Sequence, residues 1–437
     1  MRKMKDSGIE WIGEIPESWE VCKIKHFAEG EDGVKIGPFG SALTNRLIND
    51  GDYNVYSQAN LIGADFSKTN HTINEETFAQ LNNYEVLPGD ICVSMMGTIG
   101  KCKVVPDGIK QGIMDSHLIK IRLDSTVNPK FFEYVYDKDN SGVCFVQMKM
   151  ESKGSIMDGL NSKIVKNLLF PLPPIEEQDF IVKYLEEKCG KIDSLIAVKE
   201  KSNALLKEQR QSIIYEAVTK GLNSDVPMKY SGIEWIGDVP ETWDVKKIKY
   251  CFDLVAGATP KSSNSEYWDG NIVWITPADY KTEDVFIEKG HKNITDEGMQ
   301  SCATTLIPEN CIIFSKRAPV GLVAINRVPL CTNQGCISCI PHNDISSKFY
   351  YYVMSVFTEQ FELFASGTTF KEISADSFAN FLLPNTTFDE QVEIVNYLDE
   401  KCAELDTIIK SNRTIIEKLK EYRKSIIFEA VTGKAEI

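Results

Sequence analysis

No uninterrupted apolar run in these 437 residues approaches the ~18 that a membrane-spanning helix needs, which excludes a helical membrane protein. Histidine is scarce: five in all leave little general-base inventory. The opening stretch MRKMKDSGIE has no apolar segment behind its basic residues, so a cytoplasmic chain without a secretory signal is expected. No His-Glu-x-x-His is present, and no Gly-x-Gly-x-x-Gly follows a strand pattern. Gly97–Thr98–Ile99–Gly100–Lys101 misplaces the first glycine of a phosphate loop, and Cys102 stands where Ser or Thr is required. Positive charge is also short. Lys plus Arg total 48 against 63 Asp plus Glu, a formal net charge of −15 that at first sight argues against a nucleic-acid partner.

What is present is ordinary globular composition, 43% hydrophobic and 25% charged, on a chain long enough for about three domains of ~150 residues. Twelve cysteines are spread along it, several inside apolar runs such as Ile91–Cys92–Val93, and read as buried thiols of a reducing compartment. Cys331, Cys336, Cys339 and His342 are the one group with ligand types close together. Cys336–Cys339 reads as a strand, where residues three apart point to opposite faces, so no metal site is expected.

The chain is organised by a repeat. Residues 4–25 and 228–249 share 16 of 22 positions at a shift of 224, and residues 177–220 and 390–433 share 22 of 44 at a shift of 213. The second pair is helical. Leu185, Ile192, Lys199, Leu206 and Ile213 fall on one seven-residue series, copied as Leu398, Leu405, Asn412, Leu419 and Ile426. A neighbouring row adds Cys189 and Ile196, then Cys402, Ile409 and Ile416. This seam predicts two long helices that pair as an antiparallel coiled coil, each about 60 Å long at ~1.5 Å per residue. Prolines 173 and 174 with Glu176 and Glu177 mark one start, Thr387 to Glu390 the other, and Gly221 and Gly433 the stops. If the helices pair about their centres, the polar Lys199 and Asn412 face each other.

The two stretches between these frames show little mutual similarity. Each has short apolar runs behind turn signals, as in Leu87–Pro88–Gly89–Asp90 before Ile91–Cys92–Val93–Ser94, and Ile307–Pro308–Glu309–Asn310 before Cys311–Ile312–Ile313–Phe314. With helical stretches behind them they predict β-rich domains of the α+β class, related by a pseudo-twofold. A frame kept in duplicate around diverged inserts suggests one scaffold presenting two different binding surfaces. Asp107, Glu151 and Lys153 fit a loose metal-nuclease pattern that has no counterpart in the second repeat, and a nuclease using them is the alternative from another class. A coiled-coil scaffold without a DNA role is a third reading.

Three strings together resemble the specificity subunit of Type I restriction-modification systems. They are Ile15–Pro16–Glu17–Ser18–Trp19 with its copy Val239–Pro240–Glu241–Thr242–Trp243; Pro171–Leu172–Pro173–Pro174–Ile175–Glu176–Glu177–Gln178; and Gly257–Ala258–Thr259–Pro260 followed by Tyr267–Trp268–Asp269–Gly270–Asn271–Ile272–Val273–Trp274. The first insert has Ile36–Gly37–Pro38–Phe39–Gly40–Ser41 in place of the last string. The resemblance implies a subunit with no catalytic activity, in which each of two target-recognition domains reads one half of an asymmetric site on double-stranded DNA. It implies that the helices set the spacer and dock two methyltransferase subunits, and that restriction subunits join them. It places S-adenosylmethionine, ATP and magnesium in those partners and no cofactor in this chain. The expected division is a first recognition domain at 1–174, a spacer helix at 175–221, a second recognition domain at 222–386 and a second helix at 387–437. Neither insert is basic: residues 23–150 carry 13 positive and 16 negative groups, and 246–386 carry 12 and 15. DNA contact is therefore expected from local cations, with Lys101, Lys103, Lys261, Lys281, Lys316 and Arg317 as candidates. The repeated tryptophans are expected in the core.

Overall fold

A computed structural model describes residues 2–437 apart from 31, 40–42, 44–50, 152–159, 282–283, 368–370 and 436. Its contacts divide the chain into two units, Met1–Glu200 with Arg413–Ile437, and Lys201–Asn412. Each is of the α+β class. Among the described residues, no helix is long and apolar enough to cross a membrane.

The seven-residue series becomes two helices, Ile175–Lys220 and Phe388–Val431. Acidic Glu176 and Glu177 sit in the first turn of one, and Asp389 and Glu390 in the first turn of the other, where they complement the N-terminal dipole. Gly221 and Gly433 follow the last turns at φ near +70°, the left-handed stop that a side chain disfavours. A Cβ at Gly433 would also run into the ring of Pro16. Each unit holds half of each helix, and within each unit the halves run antiparallel. In the first unit Arg423 pairs with Asp193 at 3.0 Å, while Gly433 packs on Trp19, which bonds to Glu177 at the other helix's start. In the second unit Arg210 pairs with Asp406 at 3.4 Å, and Gly221 lies against Glu390.

Along the seam Leu185, Ile192, Leu398 and Ile426 are buried, and Leu206, Ile213, Leu405 and Leu419 are half-buried. Asn412 is buried too, and its side-chain amide donates to Asn203 Oδ1 at 3.0 Å. Asn203 lies one helical turn beyond Lys199 and is a polar partner of Asn412 that the seven-residue series does not include. The heptad series fixes which face is buried but not the axial offset between two helices, and a shift of four residues keeps the same face.

The diverged inserts fold alike. In the first unit the sheet order is Val34–Ile36, Leu118–Ile121, Ile91–Ser94, Cys102–Val104, all antiparallel. In the second it is Phe252–Ala256, Cys336–Pro341, Ile312–Ser315, Val323–Asn326, with Phe286–Ile287 added at the edge. A three-stranded sheet lies beside each. Strand Tyr53–Tyr56 runs parallel to Gly112–Met114 in one, and Trp268–Ile275 runs parallel to Leu330–Thr332 in the other. The main-chain ladder constrains little beyond apolarity at the inward positions, so two sequences without visible similarity satisfy one topology.

Two aromatic cores support these sheets. Phe27, Phe132 and Phe170 pack at centroid distances of 5.1 to 6.4 Å in the first unit, and Phe314, Phe361, Phe378 and Phe381 at 4.2 to 5.9 Å in the second. Cys331, Cys336 and Cys339 each face a different apolar cluster, as strand alternation requires. Burial pushes their thiols up, Cys331 to about 11 and Cys336 to about 12. His342 turns to Asp253 at 3.3 Å.

Candidate functional site

The repeated frame holds each insert by the same three-way joint. Trp19 and Trp243 are fully buried, and each donates its indole N–H to the first acid of the repeated Glu-Gln pair, Glu177 at 3.1 Å and Glu390 at 3.0 Å. The glutamines that follow are buried and reach the other way. Gln178 accepts the backbone N–H of Asn128 at 2.8 Å and donates to the carbonyls of Thr126 and Pro173. Gln391 accepts from Ser346 at 2.9 Å and donates to the carbonyls of Asp344 and Thr386. Asn128 and Ser346 are the N-caps of the helices Pro129–Tyr136 and Ser347–Val356, which pack under the two sheets. One dipeptide thus ties the opening motif, the long helix and the insert. Its duplication is visible in the sequence, but its role is not.

On this support four loops converge at one edge of each insert. In the first unit they follow Ile36, Tyr56, Ser94 and Met114, and in the second Ala256, Ile275, Ser315 and Thr332. Two backbone hydrogen bonds between them recur in both units. Met95 N–H donates to the His117 carbonyl at 3.0 Å, and Lys316 N–H to the Gly335 carbonyl at 2.9 Å. Asp115 N–H donates to Tyr56, and Asn333 N–H to Ile275. Ser57 and Thr276 open the second loop with a capping box, closed by Asn60 and Asp279. Gly37 and Gly257 occupy one position, where a Cβ would strike the carbonyls of Asp115 and of Thr332 and Asn333 respectively. The string around Gly37 and the different one around Gly257 are therefore two solutions for the same loop; Gly40 and Ser41 lie outside the described residues.

The exposed side chains on the two edges differ. The first carries Phe39, Met96 and His117, with the His117 ring held by Asp115 at 3.2 Å. The second carries Thr259, Lys261, Arg317 and Gln334. Of the candidate cations, Lys261, Lys316 and Arg317 lie on loops of this edge, and Lys101 lies on the loop after Ile91–Ser94 in the other unit. Lys101 pairs with Asp139. Lys316 and Arg317 both pair with Glu372 at 2.8 Å. Lys103 sits on the strand Cys102–Val104, paired with Glu133, and Lys281 lies past the Pro277–Asp279 turn, 3.9 Å from Asp284. Acidic neighbours hold most of the cations, a physical reason why the segment charges stay negative around them.

Glu133 is itself a buried carboxylate. Burial works to raise its pKa, but the Lys103 and Lys130 ammonium groups and the Val104 N–H outweigh it and hold it below the ordinary value. A lowered folded value stabilises the fold above the ordinary carboxylate pKa of about 4.3 and loses that contribution as pH falls through the folded value. Glu133→Gln is expected to lower stability at pH 7 by roughly 1 to 3 kcal/mol, and by less at pH 3. Urea unfolding at the two pH values checks this; an equal loss at both would contradict it.

Of the nuclease pattern, only Asp107 has a described side chain. Asp107 is exposed in a turn, and Lys153 and the Glu151 side chain lie outside the described residues.

Comparison with known proteins matches the family described as Type I restriction modification DNA specificity domain twice, over residues 16–208 and 240–421. The Type I restriction enzyme MjaIX specificity subunit of Methanocaldococcus jannaschii is 35% identical over 190 residues, 42% of this chain and 43% of that relative. The MjaVIII specificity subunit of the same organism is 22% identical over 437 residues, 97% of this chain and 94% of that relative. A chain from a solved type I R-M system, 16% identical, shares the fold with a TM-score of 0.72 over 96% of this chain and 99% of that one.

Proposed function

Because this chain belongs to the Type I restriction modification DNA specificity family, we propose that its two four-loop edges are the surfaces that read DNA, one half-site each. The observation that carries this reading is the edge itself: one main-chain arrangement, built twice, with different exposed side chains. A surface whose backbone is fixed and whose side chains are free to vary is suited to reading base edges. Two different edges make the site asymmetric. The chain itself is non-catalytic, and chemistry belongs to its partners: two methyltransferase subunits docked on the duplicated frame, and restriction subunits beside them. S-adenosylmethionine, ATP and magnesium are bound by those subunits. The two long helices, continuous through both units, set the spacing of the half-sites.

The acidic balance makes partner subunits necessary for tight binding, since each phosphate neutralised adds to affinity and the candidate cations here are largely paired. The isolated chain is expected to bind its site at least tenfold more weakly than the methyltransferase complex at matched salt, with less discrimination. Equal affinity and specificity in a fluorescence-anisotropy titration would overturn this. Methylation-sensitive sequencing of DNA from cells expressing the complex would give both half-sites and the spacer, and finding no two-part site would sink the functional reading.

A further inference from the structure

The loop after Ile91–Ser94 and the loop after Ile312–Ser315 start identically. Ser94 Oγ donates to the carbonyl of Met96 at 3.3 Å, and Ser315 Oγ to the carbonyl of Arg317 at 2.9 Å. The residue before each, Met95 or Lys316, is pinned through its N–H to the neighbouring loop, at His117 or Gly335. Met96 and Arg317 therefore occupy one position on one scaffold, and both are exposed.

Arg317 is held in a particular way. Its hydrogen bond to Glu372 at 2.8 Å is made through Nε, and Glu372 is fixed in turn by Lys316 and by a backbone bridge between Arg317 and Glu372. The loop beneath is braced by Ile373 N–H to the Lys316 carbonyl, and the Pro319 carbonyl lies at 2.9 Å from the same Ser315 hydroxyl, sharing its one proton. Engagement of Nε restrains the guanidinium plane and leaves the Nη donors as a fork. Such a fork matches the paired acceptors O6 and N7 of guanine in the major groove.

We propose that Arg317 reads a guanine in the half-site of the second unit through its Nη fork, with Glu372 as the positioning residue. Met96, at the same place in the first unit, has no donor and offers only an apolar contact such as one with a thymine methyl. This rests on the reading of the loop edges as DNA-facing and adds to it the base, the atoms and the residue.

The test uses the chain in complex with its methyltransferase subunits and a pool of duplexes randomised across the second half-site, scored by sequencing the bound fraction. Arg317→Ala is expected to lower the preference for guanine at one position of the second half-site by about tenfold or more, and to leave preferences in the first half-site unchanged. The intact first half-site serves as the control for folding. Arg317→Lys is expected to lose the same preference while keeping overall affinity, because a lysine keeps the charge and lacks the fork. Glu372→Gln is expected to weaken the preference partially, without moving affinity for random DNA by more than about twofold. With the unaltered protein, 7-deazaguanine at that one position removes the N7 acceptor and is expected to weaken binding several-fold. An Arg317→Ala variant that loses affinity equally for all sequences would make Arg317 a phosphate contact and overturn the inference. So would unaltered selection, or indifference to 7-deazaguanine at every guanine of the second half-site. Those results leave the functional reading standing, whereas a wild-type complex that selects no two-part site removes both.

Discussion

Replacing residues 24–168 with residues 248–381 is expected to yield a protein that selects the second half-site twice, in place of an asymmetric site. The splice points follow from the frame. Strand Glu20–Lys23 pairs with Leu169–Leu172, Lys23 opposite Leu169; strand Asp244–Lys247 pairs with Leu382–Asn385, Lys247 opposite Leu382. Each insert leaves and returns through the same two-stranded gate, and the N–H of the first residue inside it bonds to the last carbonyl, Ile24 to Leu168 and Ile248 to Phe381. The exchange keeps both gates and all contacts of Trp19 with Glu177. It changes the insert's own contacts with the frame, chiefly Asn128 and Thr126 on Gln178, for which Ser346 and Asp344 supply a backbone N–H and a carbonyl already matched to a glutamine. Methylation sequencing of the chimeric complex reads the outcome as complete replacement of the first half-site. Retention of the original first half-site would mean that residues outside the inserts do the reading.

The largest loss of stability is expected at the repeated tryptophans. Trp243 is fully buried, packs edge-on against Phe349 at 6.4 Å, and donates to Glu390. Trp243→Ala removes a large side chain from a packed core and is expected to lower stability by about 3 to 5 kcal/mol. For a unit of about 200 residues that is roughly a 10 °C fall in Tm. Trp243→Phe keeps most of the packing and loses the N–H, so the Glu390 carboxylate keeps Thr386 as its remaining side-chain donor; the expected loss is about 1 to 3 kcal/mol. Tyr230, in the same repeat but 64% exposed, gives the contrast: Tyr230→Ala is expected to move stability by no more than about 0.5 kcal/mol. Thermal melts of the three variants settle the order, and a Trp243→Ala loss no larger than that of Tyr230→Ala would show that the joint does not bear on the fold.

Much of this architecture is legible from the sequence for a simple reason. A repeat at two slightly different shifts separates what is duplicated from what is not, and helices with sustained seven-residue spacing declare their buried face. Leu185 and Leu398 are read correctly on that ground alone. What escapes is anything set by long-range geometry. The bond between Asn203 and Asn412 depends on an axial offset that spacing does not carry. The likeness of the two inserts lies in main-chain hydrogen bonds, and those leave no signature at Met96 and Arg317, a thioether and a guanidinium at one position. The charge of each candidate cation is plain in the sequence. That Glu372, 55 residues away, takes hold of both Lys316 and Arg317 is not.

The make-up of the first unit has a consequence for synthesis. Its core includes Ile426, Ile427, Ala430 and Val431, packed with Leu185, Cys189 and Ile192, and Lys434 donates to the carbonyl of Ile12. A ribosome that has made residue 200 has still to translate 237 more before that core can close, about 10 to 50 s at ~5 to 20 residues per second. The second unit is one continuous stretch and needs no such delay. The unit made first is thus completed last, and until then its half of the first helix holds an apolar stripe open to water, a surface for a chaperone to cover during that interval.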